Sequence, residues 1–188
     1  MIGAIVLAAG SSRRFGDDKR RATLPNGKTV IQQSVETVLN SFDELLLVLR
    51  YGDAQFEQEI TALIDNPKLK TFRAPDSALG MGHSLGNAIS HIGDWTGAFI
   101  FLADMPHIQD STIEQLKTQL SEKRIVVPTF DGQYGHPVGF SSDFFAEIAT
   151  LEGDTGAKPV ISANRDNVVE IPVVDPGVLK DVDRPEDL

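Results

Sequence analysis

Ala8, Ala9, Gly10, Ser11, Ser12, Arg13 and Arg14 follow an apolar run without a break, and Lys19 comes five residues later. Small residues let a ligand approach the backbone, and Gly10, Ser11 and Ser12 can present successive N–H groups to phosphate oxygens. Arg13, Arg14 and Lys19 add positive charge. Charge-assisted hydrogen bonds contribute roughly 1.5–3 kcal/mol each, so two or three can organise a triphosphate. A solvated loop with ordinary surface cations is the alternative. Asp17-Asp18-Lys19 follows Gly16 where a Walker A loop has Lys-Ser/Thr, and there is no G-x-G-x-x-G dinucleotide fingerprint.

Asp104 leaves the apolar stretch "AFIFLA" and precedes Met105-Pro106. A carboxylate there suits Mg²⁺, a hard cation that takes oxygen ligands and keeps waters and substrate phosphates. It suits a turn cap equally well. Asp183, in "DVDRPEDL", has the same two readings, because a carboxylate before x-Pro-Glu is a good helix N-cap. His83, His91, His107 and His136 lack zinc-site spacing. Gly135-His136-Pro137 holds either a packed histidine or a substrate contact. Trp95, Phe144 and Phe145 read as packing residues rather than a base-stacking platform.

The whole composition limits the partners. Seventeen basic against 27 acidic residues give a net charge of −10, which disfavours nucleic acid and anionic membranes. With no cysteine, a metal must be held by oxygen or imidazole. The apolar run at 2–9 is far shorter than a membrane span and its charges follow it, so a cytoplasmic location is expected.

The elements that must carry these residues are legible as alternating patterns. Continuous aliphatic runs at Ile2–Leu7, Leu45–Leu49, Ala98–Leu102, Ile125–Pro128 and Val168–Val174 predict strands, with further candidates at Lys70–Arg73 and His136–Phe140. Phe56, Ile60, Leu63 and Ile64 share one helical face, as do Ile113, Leu116 and Leu120. Ser111 with Glu114, and Thr29 with Gln32, are candidate capping boxes. The alternation predicts a layered α/β fold with a mainly parallel sheet, and in such folds ligands bind beyond the carboxyl ends of the strands.

The segments "LAAGSSRRFGDDK", "PDSALGMGHSLGNAI", "FLADMP", "GHPVGF", "GDTGAK" and "DVDRPEDL" occur in this order. Together they resemble the MobA-like NTP transferase family, and most of all its molybdenum cofactor cytidylyltransferase branch. The resemblance spans residues 2–188 and implies one NTP transferase domain over 1–188. It implies a Rossmann-like three-layer α/β sandwich with a mainly parallel mixed sheet, of the nucleotide-diphospho-sugar transferase type.

The implied activity is Mg²⁺-dependent transfer of CMP from CTP, or of another nucleotide, to a molybdopterin-type acceptor with release of pyrophosphate. A molybdoenzyme or its chaperone would be a downstream partner. In that scheme Arg14, Lys19 and Asp104 are catalytic, and Asp104 and Asp183 hold the metal. Leu7, Ala8, Ala9, Gly10, Ser11, Ser12, Arg14, Lys19, Ala78, Leu79, Gly80 and Ser84 bind the nucleotide. Gly135, His136 and Pro137, with Gly153–Lys158, lie on the acceptor side. The alternatives are a guanylyltransferase, a sugar- or polyol-phosphate nucleotidyltransferase, a nucleotide-dependent oxidoreductase and a non-catalytic cofactor-delivery module.

The sequence also departs from the family pattern. Leucines usually follow the lysine, whereas here Arg20, Arg21, Ala22 and Thr23 do; the arginines would meet an anionic acceptor or, as is expected of exposed cations, face solvent. His83 and Arg184 stand where small residues and threonine are common.

Overall fold

The computed structural model describes residues 1–10 and 15–188. Its strands are β1 (Ile2–Leu7), β2 (Leu45–Arg50), β3 (Leu69–Ala74), β4 (Gly97–Leu102), β5 (Ile125–Phe130), β6 (Gln133–Tyr134), β7 (Val138–Ser141) and β8 (Val168–Pro172). The helices are α1 (Val30–Ser41), α2 (Ala54–Leu63), α3 (Met81–His91), α4 (Asp110–Lys117), α5 (Phe145–Ile148) and α6 (Lys158–Ala163).

The strands form one mixed sheet in the order β3-β2-β1-β4-β7-β5-β6, with β8 also paired to β5. β1 runs parallel to both β2 and β4, which brings the loops after these three strands to one edge. β7 is antiparallel to β4 and β5. This is the expected mainly parallel sheet with an antiparallel insertion.

Period-two alternation sends successive side chains to opposite faces, so a strand buried on both sides reads as an unbroken apolar run. In β1 and just beyond it, Ala4, Val6 and Ala8 join one core with Ile31 and Val35 of α1, Phe56 and Ile60 of α2, and Ile113 and Leu116 of α4. Ile5 and Leu7 join the other, with Leu85 and Ile89 of α3, Ile148 of α5 and Val160 of α6. The result is the expected three-layer sandwich. Trp95 and Phe144 lie in the second core, as packing residues should.

Several local expectations need correction. Leu63 is half exposed, so the expected face packs through Phe56, Ile60 and, at the C-cap of α2, Ile64. The Ser111–Glu114 box does not form, because α4 starts at Asp110 and the buried Asp175 carboxylate instead accepts from the Gln109 N–H and the Thr112 hydroxyl. Thr29 does cap α1 by accepting from the Gln32 N–H, but the Gln32 side chain turns to Glu36. The expected strand at Val168–Val174 stops at Pro172. The one expected from His136 begins at Val138.

Candidate functional site

A cleft of about 900 Å³ opens at the carboxyl ends of β1, β2 and β4. Its floor includes Leu7, Ala8, Ala9 and Gly10 from the end of β1, and Leu102, Ala103 and Asp104 from the end of β4. The Ala8 N–H donates to the Val48 carbonyl and the Ala103 N–H to that of Leu7, so both loops leave the sheet from fixed points. The Ser34 hydroxyl of α1 also supports the Ala103 carbonyl.

At one end of the cleft the Lys19 ammonium lies 2.6 Å from Asp104 Oδ2 and 3.1 Å from Asp183 Oδ1. Main-chain geometry explains how residues so far apart in sequence meet. The Val182 N–H donates to the Asp104 carbonyl at 2.8 Å, and the Val182 side chain is fully buried with Leu24 and Val30. Its neighbours Asp181 and Asp183 are therefore delivered to Asp104. One carboxylate oxygen from each of Asp104, Asp181 and Asp183 lies within 4.8 Å of the others. Asp183 does not cap the final turn, whose N-cap is Arg184; the Asp187 carboxylate accepts from the Asp183 and Arg184 N–H groups.

The charges bear on one another. Burial alone would lower the Lys19 pKa, but hydrogen bonds and attraction from Asp104 and Asp183 outweigh it and hold the ammonium above its ordinary value. Burial raises Asp181, and the negative charges of Asp183 and Asp104 raise it further. Burial lowers His136, only partly opposed by Asp104, so the imidazole favours its neutral form.

The opposite wall comes from the segment before α3. Ala78, Gly80 and Ser84 line it, with the Ser84 hydroxyl donating to the Gly80 carbonyl. Gly80 has φ +128, and a Cβ on it would lie 2.4 Å from the Gly153 carbonyl; at Gly82 it would lie 2.5 Å from that of Glu152. The glycines thus let the "GDTGAK" segment close onto α3, which carries Asp154 into the cleft wall.

Of the expected site residues, Leu7, Ala8, Ala9, Gly10, Lys19, Ala78, Gly80, Ser84 and Asp104 line the cleft together. Leu79 is mostly exposed and is not among its lining residues. Asp183 joins through Lys19. Gly135, His136 and Pro137 stand apart from the lining, where the His136 N–H donates to the Val178 carbonyl and the peptide to Pro137 is cis. Ser11, Ser12, Arg13 and Arg14 lie outside the described residues.

Sequence reasoning missed the β2 contribution, Arg50, Tyr51, Gly52 and Asp53. The signal was a polar stretch directly after an apolar strand. The Arg50 guanidinium donates to the Gly10 carbonyl, and the Tyr51 N–H donates to the Ser77 hydroxyl, so this loop ties the two walls together. Asp181 was missed as well, although it stands two residues before Asp183.

The expectation that Arg20 faces solvent needs correction, although Arg20 does line the cleft. It is 4% exposed and bonds to Asp18, Asp53 and the Ala8 carbonyl, whereas Arg21 is half exposed and pairs with Glu59.

The family model described as the MobA-like NTP transferase domain matches residues 4–168. The chain is 30% identical to the purine catabolism protein PucB of Bacillus subtilis (strain 168), over 97% of this chain and 92% of that protein. It is 29% identical to a probable molybdenum cofactor guanylyltransferase of Natranaerobius thermophilus, over 71% of this chain and 62% of that one. Among solved structures, Rv0371c of Mycobacterium tuberculosis H37Rv in complex with manganese superimposes with a TM-score of 0.78 at 27% identity, covering 99% of this chain and 95% of that one.

The chain belongs to the MobA-like NTP transferase domain family and is a nucleotidyltransferase of that family.

Proposed function

We propose that this family member, as one NTP transferase domain over 1–188, transfers CMP from CTP to a molybdopterin-type acceptor. The observation that supports the reading best is the Lys19 ammonium gathered with Asp104 and Asp183 at one end of a cleft of about 900 Å³. That volume suits a nucleotide with part of its acceptor. A terminal phosphate oxygen of the acceptor attacks the α-phosphorus in line. The bond to the bridging oxygen breaks, and pyrophosphate leaves with its electron pair.

In this scheme Lys19 and Arg14 neutralise the charge that grows on the leaving pyrophosphate, while Gly10, Ser11 and Ser12 offer N–H groups to the phosphates. Leu7, Ala8 and Ala9 border the nucleoside with Ala78, Gly80 and Ser84. Gly135, His136 and Pro137 face the acceptor. The carboxylates of Asp104, Asp181 and Asp183 are a hard oxygen donor set close enough to share one cation, which fits Mg²⁺ held by Asp104 and Asp183. When bound, the ion neutralises phosphate charge and orients the reacting oxygens. Absent a cation, the three acids would repel a triphosphate. The product would then pass to a molybdoenzyme or its chaperone.

The guanylyltransferase relative favours GTP as the second reading. Pyrophosphate release measured with CTP, GTP, UTP and ATP, in Mg²⁺ with and without molybdopterin, separates these readings. Release that requires CTP and molybdopterin is expected. A preference for GTP would reassign the base, and no release with any nucleotide would overturn the transfer reading.

A further inference from the structure

Arg20 directly follows Lys19, yet it is buried and all five of its N–H donors are engaged. Nε and Nη2 donate to the two oxygens of Asp18 at 2.8 and 2.7 Å. Nη1 and Nη2 donate to those of Asp53 at 2.5 and 3.1 Å, and Nη1 also donates to the Ala8 carbonyl at 3.0 Å. The guanidinium lies 4.1 Å from the centre of the Phe56 ring. Its acceptors belong to three parts of the site. Asp18 caps the turn Lys19–Arg21, Ala8 ends β1, and Asp53 lies in the loop after β2. The Asp53 carboxylate also accepts the Arg50 N–H, and the Arg50 side chain reaches Gly10.

A buried ion cluster of this kind is weak grounds for stability, since an apolar residue of similar size often serves as well. The resemblance puts leucine here. What the guanidinium adds is a rigid fork that fixes several acceptors relative to one another, which neither leucine nor lysine can do.

We propose that Arg20 is a positioning residue for Lys19. By fixing Asp18, Ala8 and Asp53 to one guanidinium, it sets the turn that aims the Lys19 ammonium at Asp104 and Asp183, and so at the phosphates. The consequence for turnover rests on the nucleotidyl-transfer reading above; the geometry does not. Because its donors are all engaged within the protein, Arg20 acts through Lys19 rather than on substrate.

The test compares wild type, Arg20→Lys, Lys19→Ala and the double variant, each first checked for a cooperative melt. One readout is kcat and KM for pyrophosphate release from CTP and from GTP. The other is calorimetric affinity for inorganic pyrophosphate, which needs neither acceptor nor turnover. Arg20→Lys should lower kcat by about 10–100-fold with KM changed less than about threefold, because a misaimed cation is felt mainly in the transition state. It should weaken pyrophosphate binding, and it should add nothing further in the Lys19→Ala background, because its effect passes through that ammonium.

Unchanged kcat and pyrophosphate affinity in Arg20→Lys would overturn the proposal, as would full additivity with Lys19→Ala. Should Arg20→Lys fail to fold, Asp18→Asn weakens the same link from its other end under the same criteria. If wild type releases no pyrophosphate from either nucleotide, the transfer reading fails, and pyrophosphate affinity with the non-additivity criterion still decides the role of Arg20.

Discussion

Lys19 and Arg20 each bind a pair of aspartates, but their surroundings differ. Side-chain exposure is 14%, 22% and 31% for Lys19, Asp104 and Asp183, against 5%, 21% and 12% for Arg20, Asp18 and Asp53. The ammonium is a compact charge on a flexible stem and can exchange its partners for a phosphate or leave its carboxylates to a metal. The guanidinium has no donor left to exchange. On the proposed reading one cluster is arranged to react and the other to hold, and the choice of lysine or arginine at adjacent positions makes the distinction.

Removing a carboxylate from the Lys19 cluster should have the largest effect. Asp104→Ala is expected to lower kcat/KM for Mg²⁺-dependent pyrophosphate release by roughly 10⁴-fold, about 5.5 kcal/mol. Its melting temperature should stay near that of wild type, because the main-chain bond from Val182 to residue 104 remains. Full activity would remove Asp104 from the metal set.

The holding cluster should answer in the opposite way. Arg20→Ala leaves Asp18 and Asp53 without their shared cation, a loss expected to destabilise the fold by about 3–5 kcal/mol in urea denaturation. A change below about 1 kcal/mol would erase the contrast between the clusters. Lys19→Ala should cost about 2.7 kcal/mol in transition-state stabilisation, roughly 100-fold in kcat/KM, with a much smaller loss of stability. An unchanged kcat/KM would take Lys19 out of the reaction.

The same contrast explains which parts of the site could be read from the sequence. β1, β2 and β4 are covered on both faces, so hydrophobicity alone marks them. The edge strand β3 and the two-residue β6 lack that cover and gave only a short candidate or none. α3 was hidden by Gly82, a poor helix former retained because Glu152 leaves no space for a Cβ. Lys19 and Asp104 were legible because each follows an apolar run in a segment with its own chemical signature. Arg20 was not, because its burial depends on Asp53, 33 residues further along the chain. Asp181 and Asp183 acquire their place from the main-chain bond and buried side chain of Val182, which no local pattern announces.

The smallest expected effect divides the two clusters by pH. The partners of Lys19 overcome burial and hold its pKa above the ordinary 10.5. A basic group raised in the folded state contributes stability that is full below about pH 10.5 and is lost as pH climbs through the folded value. Arg20 keeps its proton throughout, so its cluster is vulnerable only from the acid side. Burial would raise Asp18, but hydrogen bonds and attraction from Arg20 hold it below 3.8. That contribution is full above about pH 3.8 and is lost as pH falls through the folded value. Lys19→Met should therefore flatten the alkaline fall in the urea midpoint and leave the acid fall alone, while Asp18→Asn should do the reverse. Each slope is at most about 1.4 kcal/mol per pH unit for one group. If Lys19→Met kept the full alkaline fall, the ammonium would not owe its state to Asp104 and Asp183, and the reacting cluster would lose the electrostatic coupling that sets it apart.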